Sequence, residues 1–116
     1  MRINYDLVRE ILIDIADADL DTDITNYNIC TGKDPKVIGW HIKKLIEAGY
    51  LDGINASDKF NPYDYICIEL TLAGEKFLNK IENNNRWENI KSYIQNNSID
   101  ISFRAIEFAF KSISGF

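Results

Sequence analysis

Residues 34–51, D-P-K-V-I-G-W-H-I-K-K-L-I-E-A-G-Y-L, spell out one helix with both of its ends marked. Asp34 can accept from the free amides of the first turn, and Pro35 suits the first helical position, where its missing N–H costs nothing. Gly49 suits the left-handed residue that closes a helix, after which Tyr50 can fold back on Leu45. At 100° per residue Ile38, His41, Ile42, Leu45 and Gly49 share one face, and Lys36, Trp40, Lys43 and Glu47 share the opposite one, with Lys44 at its flank. One side must be buried and the other must meet water or a partner.

The 116 residues suffice for a single domain with one core, and the expectation is a single domain over 1–116. A hydrophobic content of 46% and a charged content of 27% belong to a globular protein. No run reaches the roughly 20 apolar residues that span a bilayer. The opening M-R-I-N-Y-D lacks the apolar core of a signal peptide. A cytoplasmic protein with no membrane partner is expected. Asn and Ile recur throughout without forming tracts, which reads as the bias of an AT-rich genome.

The net charge of −5 counts against a general nucleic-acid binder. The charge is uneven, however. Residues 1–23 hold two bases against seven acids, and residues 51–70 one base against four acids. Residues 31–50 hold Lys33, Lys36, Lys43 and Lys44 against Asp34 and Glu47. The helix and its approach form the one distinctly positive block.

In chain order, Asn4 caps a first helix over 5–18, with Leu7, Val8, Ile11, Leu12 and Ile15 as its apolar stripe. The run D-A-D-L-D-T-D ends it. Alternating Asp suggests a calcium loop, but the central Gly and the distal Glu are missing, so a solvated loop is expected. Residues 24–30 read either as a short strand or as the remnant of a helix. Residues 50–54 read as a strand, 55–64 as a turn-rich loop, and 65–70 as the return strand with Ile66, Ile68 and Leu70 on one face. Thr71 caps a helix bearing Leu72, Phe77, Leu78 and Ile81. Residues 86–96 are amphipathic through Trp87, Ile90 and Ile94. Ser102 caps a last helix to about Ser114.

The fold expected is α+β, mainly α. Its architecture is a winged helix-turn-helix-like core over 1–84, with the antiparallel hairpin as the wing, and a C-terminal extension of two helices over 85–116. In the closing helix Phe103, Ile106, Phe110 and Ile113 make one stripe, while Ala105 and Phe108 lie on another side. A terminal helix with two apolar sides points to a homodimer through Phe103, Ile106, Phe108, Phe110 and Ile113.

Three blocks resemble a family of small bacterial and prophage proteins, domain of unknown function 2513. They are D-L-V-R-E-I-L at 6–12, W-H-I-K-K-L-I-E-A-G-Y-L at 40–51, and E-L-T-L-A-G-E-K-F-L at 69–78, followed by Trp87 and the closing helix. The resemblance covers nearly the whole chain. It implies a winged-helix-like fold and a phage or prophage origin. It brings no established activity and no catalytic residue.

Chemistry is sparse. A nucleophilic Cys needs an activating base, and His41 is the single histidine. At the edge of an apolar face it reads as a helix histidine with one local hydrogen bond rather than a ligand. Cys30 and Cys67 could be neighbours if 24–30 pairs with 65–70, but with His41 they make at most three zinc ligands, none in C-x-x-C spacing. No phosphate-cradling Gly loop and no Ser-centred elbow occurs. No enzyme, cofactor or metal site is expected.

Trp40 is the residue without a structural reason. On the polar face beside lysines it serves either a contact surface or a packing site under the C-terminal helices. The leading reading is a DNA-binding regulator with Lys33, Lys36, Trp40, Lys43 and Lys44 on its DNA face and Lys59 in the wing. Binding is expected to be weak overall and tied to a particular DNA site. The alternative is a protein-interaction module anchored on Trp40, for which acidity is no obstacle.

Overall fold

The computed structural model describes residues 1–115. It holds α1 (Tyr5–Asp17), α2 (Pro35–Glu47), β1 (Leu51–Asn55), β2 (Tyr65–Leu70), α3 (Leu72–Ile81), α4 (Asn84–Asn96) and α5 (Phe103–Ser114). The protein is α+β and mainly helical. Its chain divides into two compact units, residues 1–76 and residues 77–116, with the boundary inside α3.

In the first unit, local signals place both long helices. Asn4 accepts from the Leu7 amide at the start of α1, and Asp34 accepts from the Lys36 amide at the start of α2. The buried face of α1 is Leu7, Val8, Ile11, Leu12 and Ile15, the stripe expected from the spacing. Each such side chain adds about 1.5–3 kcal/mol when taken fully from water. Helix α2 ends at Gly49, whose φ of 85° is open to a residue without Cβ. The Gly49 and Tyr50 amides then donate back to Ile46 O and Leu45 O, at 3.0 and 2.9 Å. These two crossed bonds satisfy carbonyls the helix leaves free and turn the chain into β1. Thr71 fastens this turn to α3. Its hydroxyl donates to Gly49 O at 2.7 Å and accepts from Gly74 N at 3.0 Å.

Strands β1 and β2 pair antiparallel, with Leu51 opposite Leu70 and Ile54 opposite Ile66. The simple alternation expected for β2 does not hold. Tyr65 and Ile68 are its buried residues, while Ile66 and Leu70 are half-buried. The cause is a bulge: Gly53 alone faces Cys67 and Ile68, and Cys67 takes a φ of 52°. An extra residue in one strand moves every later side chain to the other face.

Residues 24–30 form turns rather than a regular strand. Even so, Ile24 O accepts from Ile68 N at 3.1 Å, and the Asp23 carboxylate accepts from Cys67 N at 3.0 Å. The segment therefore lines the free edge of β2 without becoming a strand. Asn26, wholly buried, donates to Pro35 O and accepts from Tyr65 N, both at 3.0 Å. One amide side chain thus joins the start of α2 to the start of β2.

In the second unit α4 packs on α5. Trp87, Ile90 and Ile94 are buried on α4, and Ala105, Ile106 and Ala109 on α5. Asn83 and Ser102 cap the two helices, and Gly115 closes α5 with a φ of 76°. Phe77 meets Phe103 edge to face at 5.7 Å, and Lys80 pairs with Glu107 at 3.2 Å. No helix among the described residues is long and apolar enough to cross a membrane.

Candidate nucleic-acid interface

The outer face of α2 carries Lys36, Trp40, Lys43 and Lys44. Its inner face is held by Ile38, Ile42 and Leu45, all at most 1% exposed. This depth of anchoring decides which way the outer residues point.

Gly39 decides what lies beside them. The carbonyl of Tyr63, at the end of the β1–β2 loop, sits against Gly39 so closely that an added Cβ would collide with it. The loop therefore lies directly on α2, and Tyr63 enters the face. Its φ of 64° is a left-handed conformation that a tyrosine adopts at a cost. Lys43 Nζ stands 5.7 Å from the centre of the Tyr63 ring, and Lys44 Nζ stands 5.2 Å from that of Trp40. Trp40 is half-buried, its ring set edge-on against His41 at 5.0 Å. A concavity of about 410 Å³ opens here, lined by Trp40, Tyr63, Val37, Lys36, Asp34 and Met1.

A second, smaller concavity of about 230 Å³ lies at the start of α2, between Tyr27, Pro35, Lys36, Phe60 and Pro62. Lys36 and Asp34 line both. Phe60 is 85% exposed, yet its backbone is held. The Asp58 carboxylate accepts from the Phe60 and Asn61 amides at 2.8 and 2.7 Å, which keeps that carboxyl below its usual range. Tyr27 donates its hydroxyl to Asp64 at 2.7 Å, and that bond raises the phenol.

The lysines differ in how free they are. Lys36 and Lys59 are exposed, and among the described residues neither is in an ion pair. Lys44 is half-buried and pairs with Glu47 at 3.4 Å. Lys33 pairs with Glu10 of α1 at 3.7 Å. The structure thus brings Lys36, Trp40, Lys43 and Lys44 together, and it adds Tyr63 and Phe60, which no helical period marks in the sequence. Two aromatic residues inside a mainly polar nine-residue loop were the signal for them. Of the residues expected at a dimer contact, Ile106 is buried, Phe103 and Phe110 are half-buried, and Phe108 and Ile113 are exposed. Lys80 and Arg86 lie over the Phe110 ring at 5.9 and 5.6 Å.

The groups with chemical potential elsewhere are held in place. His41 is 1% exposed; its Nδ1 donates to Val37 O and its Nε2 accepts from Asn4 N, both at 2.9 Å. It thus makes a long-range bond besides the local one. Burial pushes the Cys30 thiol up to about 12, helped by the Asp14 charge. A thiol so protonated is a poor nucleophile. Among the described residues no group of three or more His, Cys, Asp or Glu side chains is placed to hold a metal ion.

The family described as Hypothetical protein (DUF2513) matches residues 2–100. The chain belongs to this family. A DUF2513-like relative is an uncharacterized protein of Haemophilus influenzae, 32% identical over 107 residues, a stretch that is 92% of this chain and 90% of the relative. The matched residues of the family include all of α2, the hairpin and the aromatic loop. No solved structure matches.

Proposed function

We propose that this DUF2513 protein is a winged-helix DNA-binding regulator of phage or prophage type, acting in the cytoplasm through the outer face of α2. The observation that carries the reading is the Ile24–Ile68 backbone bond at 3.1 Å. It lays Ile24 along the edge of β2, so the order is helix, edge contact, turns, helix, hairpin. In a winged helix that order presents the helix before the hairpin to the DNA groove and lays the hairpin beside it. Here that helix is α2, and its outer face holds the free Lys36 together with Lys43. The hairpin loop carries Lys59.

Electrostatics sets the affinity. Lys33 and Lys44 are engaged by Glu10 and Glu47. Asp34, Asp58 and Asp64 stand at the same surface, though each is occupied in local hydrogen bonds. Non-specific attraction is therefore small, and useful affinity requires a particular DNA site. The test is capture of fragmented host and phage genomes at low salt, where phosphate attraction is strongest. Recovery of discrete fragments supports the reading, and recovery of none at low salt removes it.

A further inference from the structure

Around α2, aromatic rings alternate with ammonium groups. Trp40 has Lys44 at 5.2 Å, Tyr63 has Lys43 at 5.7 Å, and Phe60 follows Lys59 in the chain. Lys36 stands between them, at the rim of both concavities. Phosphate contacts of a paired duplex need only the lysines. An 85% exposed phenylalanine on a loop tip fixed by Asp58 adds nothing to them. A nucleotide with an unpaired base offers a flat ring and an anion together, and this surface answers both. We infer that the α2 face and its loop bind unpaired nucleotides, as in a single strand or an opened duplex; the inference rests on the DNA reading above and narrows its ligand.

The magnitudes favour the exchange. An ammonium leaving an exposed ring for a phosphate forfeits about two- to fivefold in affinity. A base stacked on an aromatic side chain returns about fivefold to a hundredfold, whatever its identity. The concavities suit separate bases, because Trp40 and Tyr63 wall the larger one and Phe60 with Tyr27 walls the smaller. The nearby carboxylates oppose every phosphate, so stacking supplies the greater share of the affinity, and a duplex opened at its site gains more than one that stays paired.

The chain provides its own reporter. Of its two tryptophans, Trp87 is 2% exposed and Trp40 lines the larger concavity. Titration of the full chain uses three probes of one sequence: a single strand, its matched duplex, and that duplex with an internal bubble. The single strand and the bubble should bind about tenfold or more tighter than the duplex, with quenching of tryptophan emission. Phe60→Ala, a change at an exposed side chain, should weaken the single strand by about tenfold and hardly alter the duplex. Trp40→Phe, which keeps a ring, should bind while losing the quenching. Duplex binding as tight as single-strand binding would overturn the inference and leave the DNA reading standing. Binding of none of the three would overturn the inference, and the DNA reading falls with it only if the genome capture also recovers nothing. Displacement of the single strand by polyglutamate as readily as by unlabelled strand would reduce the site to its charge and also overturn the inference.

Discussion

The backbone N–H of Asn4 donates to Nε2 of His41 across 2.9 Å, and this bond joins the cap of α1 to the middle of α2. Val37 O can only accept, so Nδ1 carries the proton and Nε2 is left bare for Asn4. The imidazole must be neutral to do both. A side chain otherwise open to a catalytic reading is thus consumed in holding two helices together.

That arrangement makes stability depend on pH. Burial holds His41 below its ordinary 6.5, against a smaller opposing effect of the Val37 bond. Between the folded value and 6.5 the unfolded chain binds more protons than the folded one. The His41 contribution is therefore whole above 6.5 and is lost as pH falls below it towards the folded value. Urea denaturation at pH values either side of 6.5 should show a drop on the acid side that His41→Gln lacks. At alkaline pH His41→Ala should cost about 2–4 kcal/mol, from the cavity and the orphaned Asn4 amide. An equal acid-side drop in wild type and His41→Gln would assign the effect to carboxylates instead.

Gly39 tests whether the loop truly lies on the helix. A methyl group there meets the Tyr63 carbonyl, which is backbone and cannot swing aside. Gly39→Ala should destabilise by about 1–3 kcal/mol or more, although alanine favours a helix by about 1 kcal/mol over glycine. The opposite sign separates packing from propensity. A thermal melt showing Gly39→Ala at or above wild-type stability would mean that Tyr63 does not rest there.

Much of this was legible beforehand, and what escaped has a common cause. The caps Asn4, Asp34 and Ser102, the stripes of α1 and α2, and the Gly49 turn are written within a few residues of where they act. Asn26 is not: it answers to Tyr65, 39 positions away, and in its own turn it looks like any polar residue. The bulge at Cys67 likewise depends on its pairing with Gly53 and on Asp23, neither of them a neighbour in sequence. At the candidate site the lysines and Trp40 stood out because helical period sorts one helix into faces. Tyr63 and Phe60 lie in a loop, where no period applies, and only the approach to Gly39 brings Tyr63 to α2.

Cys67 offers a gain rather than a loss. Its side chain is exposed and its φ is 52°, a conformation costing a residue with a Cβ about 1–2 kcal/mol. Glycine escapes that cost and gives back part of it as greater freedom when unfolded. Cys67→Gly should raise stability by up to about 1 kcal/mol. Gly53→Ala, at the residue facing the bulge, should be tolerated, because its Cβ would stand 3.4 Å from the Ile68 side chain, an ordinary contact. A lower denaturation midpoint for Cys67→Gly would contradict the strain argument.

Salt dependence separates the lysines of α2 from one another. Each ammonium that neutralises a phosphate adds about 0.7 to the slope of log affinity against log salt on a single strand and about 0.9 on a duplex. Lys36 is free, Lys43 need only leave a ring, and Lys44 must also leave Glu47 at 3.4 Å. Lys36→Ala with Lys43→Ala should therefore flatten the slope by about 1.4 on a single strand and about 1.8 on a duplex. Lys44→Ala should change it by much less, and Glu47→Gln, by freeing Lys44, should steepen it. Folding should hold in each case, since surface substitutions usually stay within about 0.5 kcal/mol, with a little more for Lys43, whose ammonium lies over the Tyr63 ring. A loss of slope in Lys44→Ala as large, per lysine, as in the Lys36, Lys43 pair would mean that the ion pair does not withhold Lys44. A slope unchanged in the Lys36, Lys43 pair would place the phosphates elsewhere on the molecule.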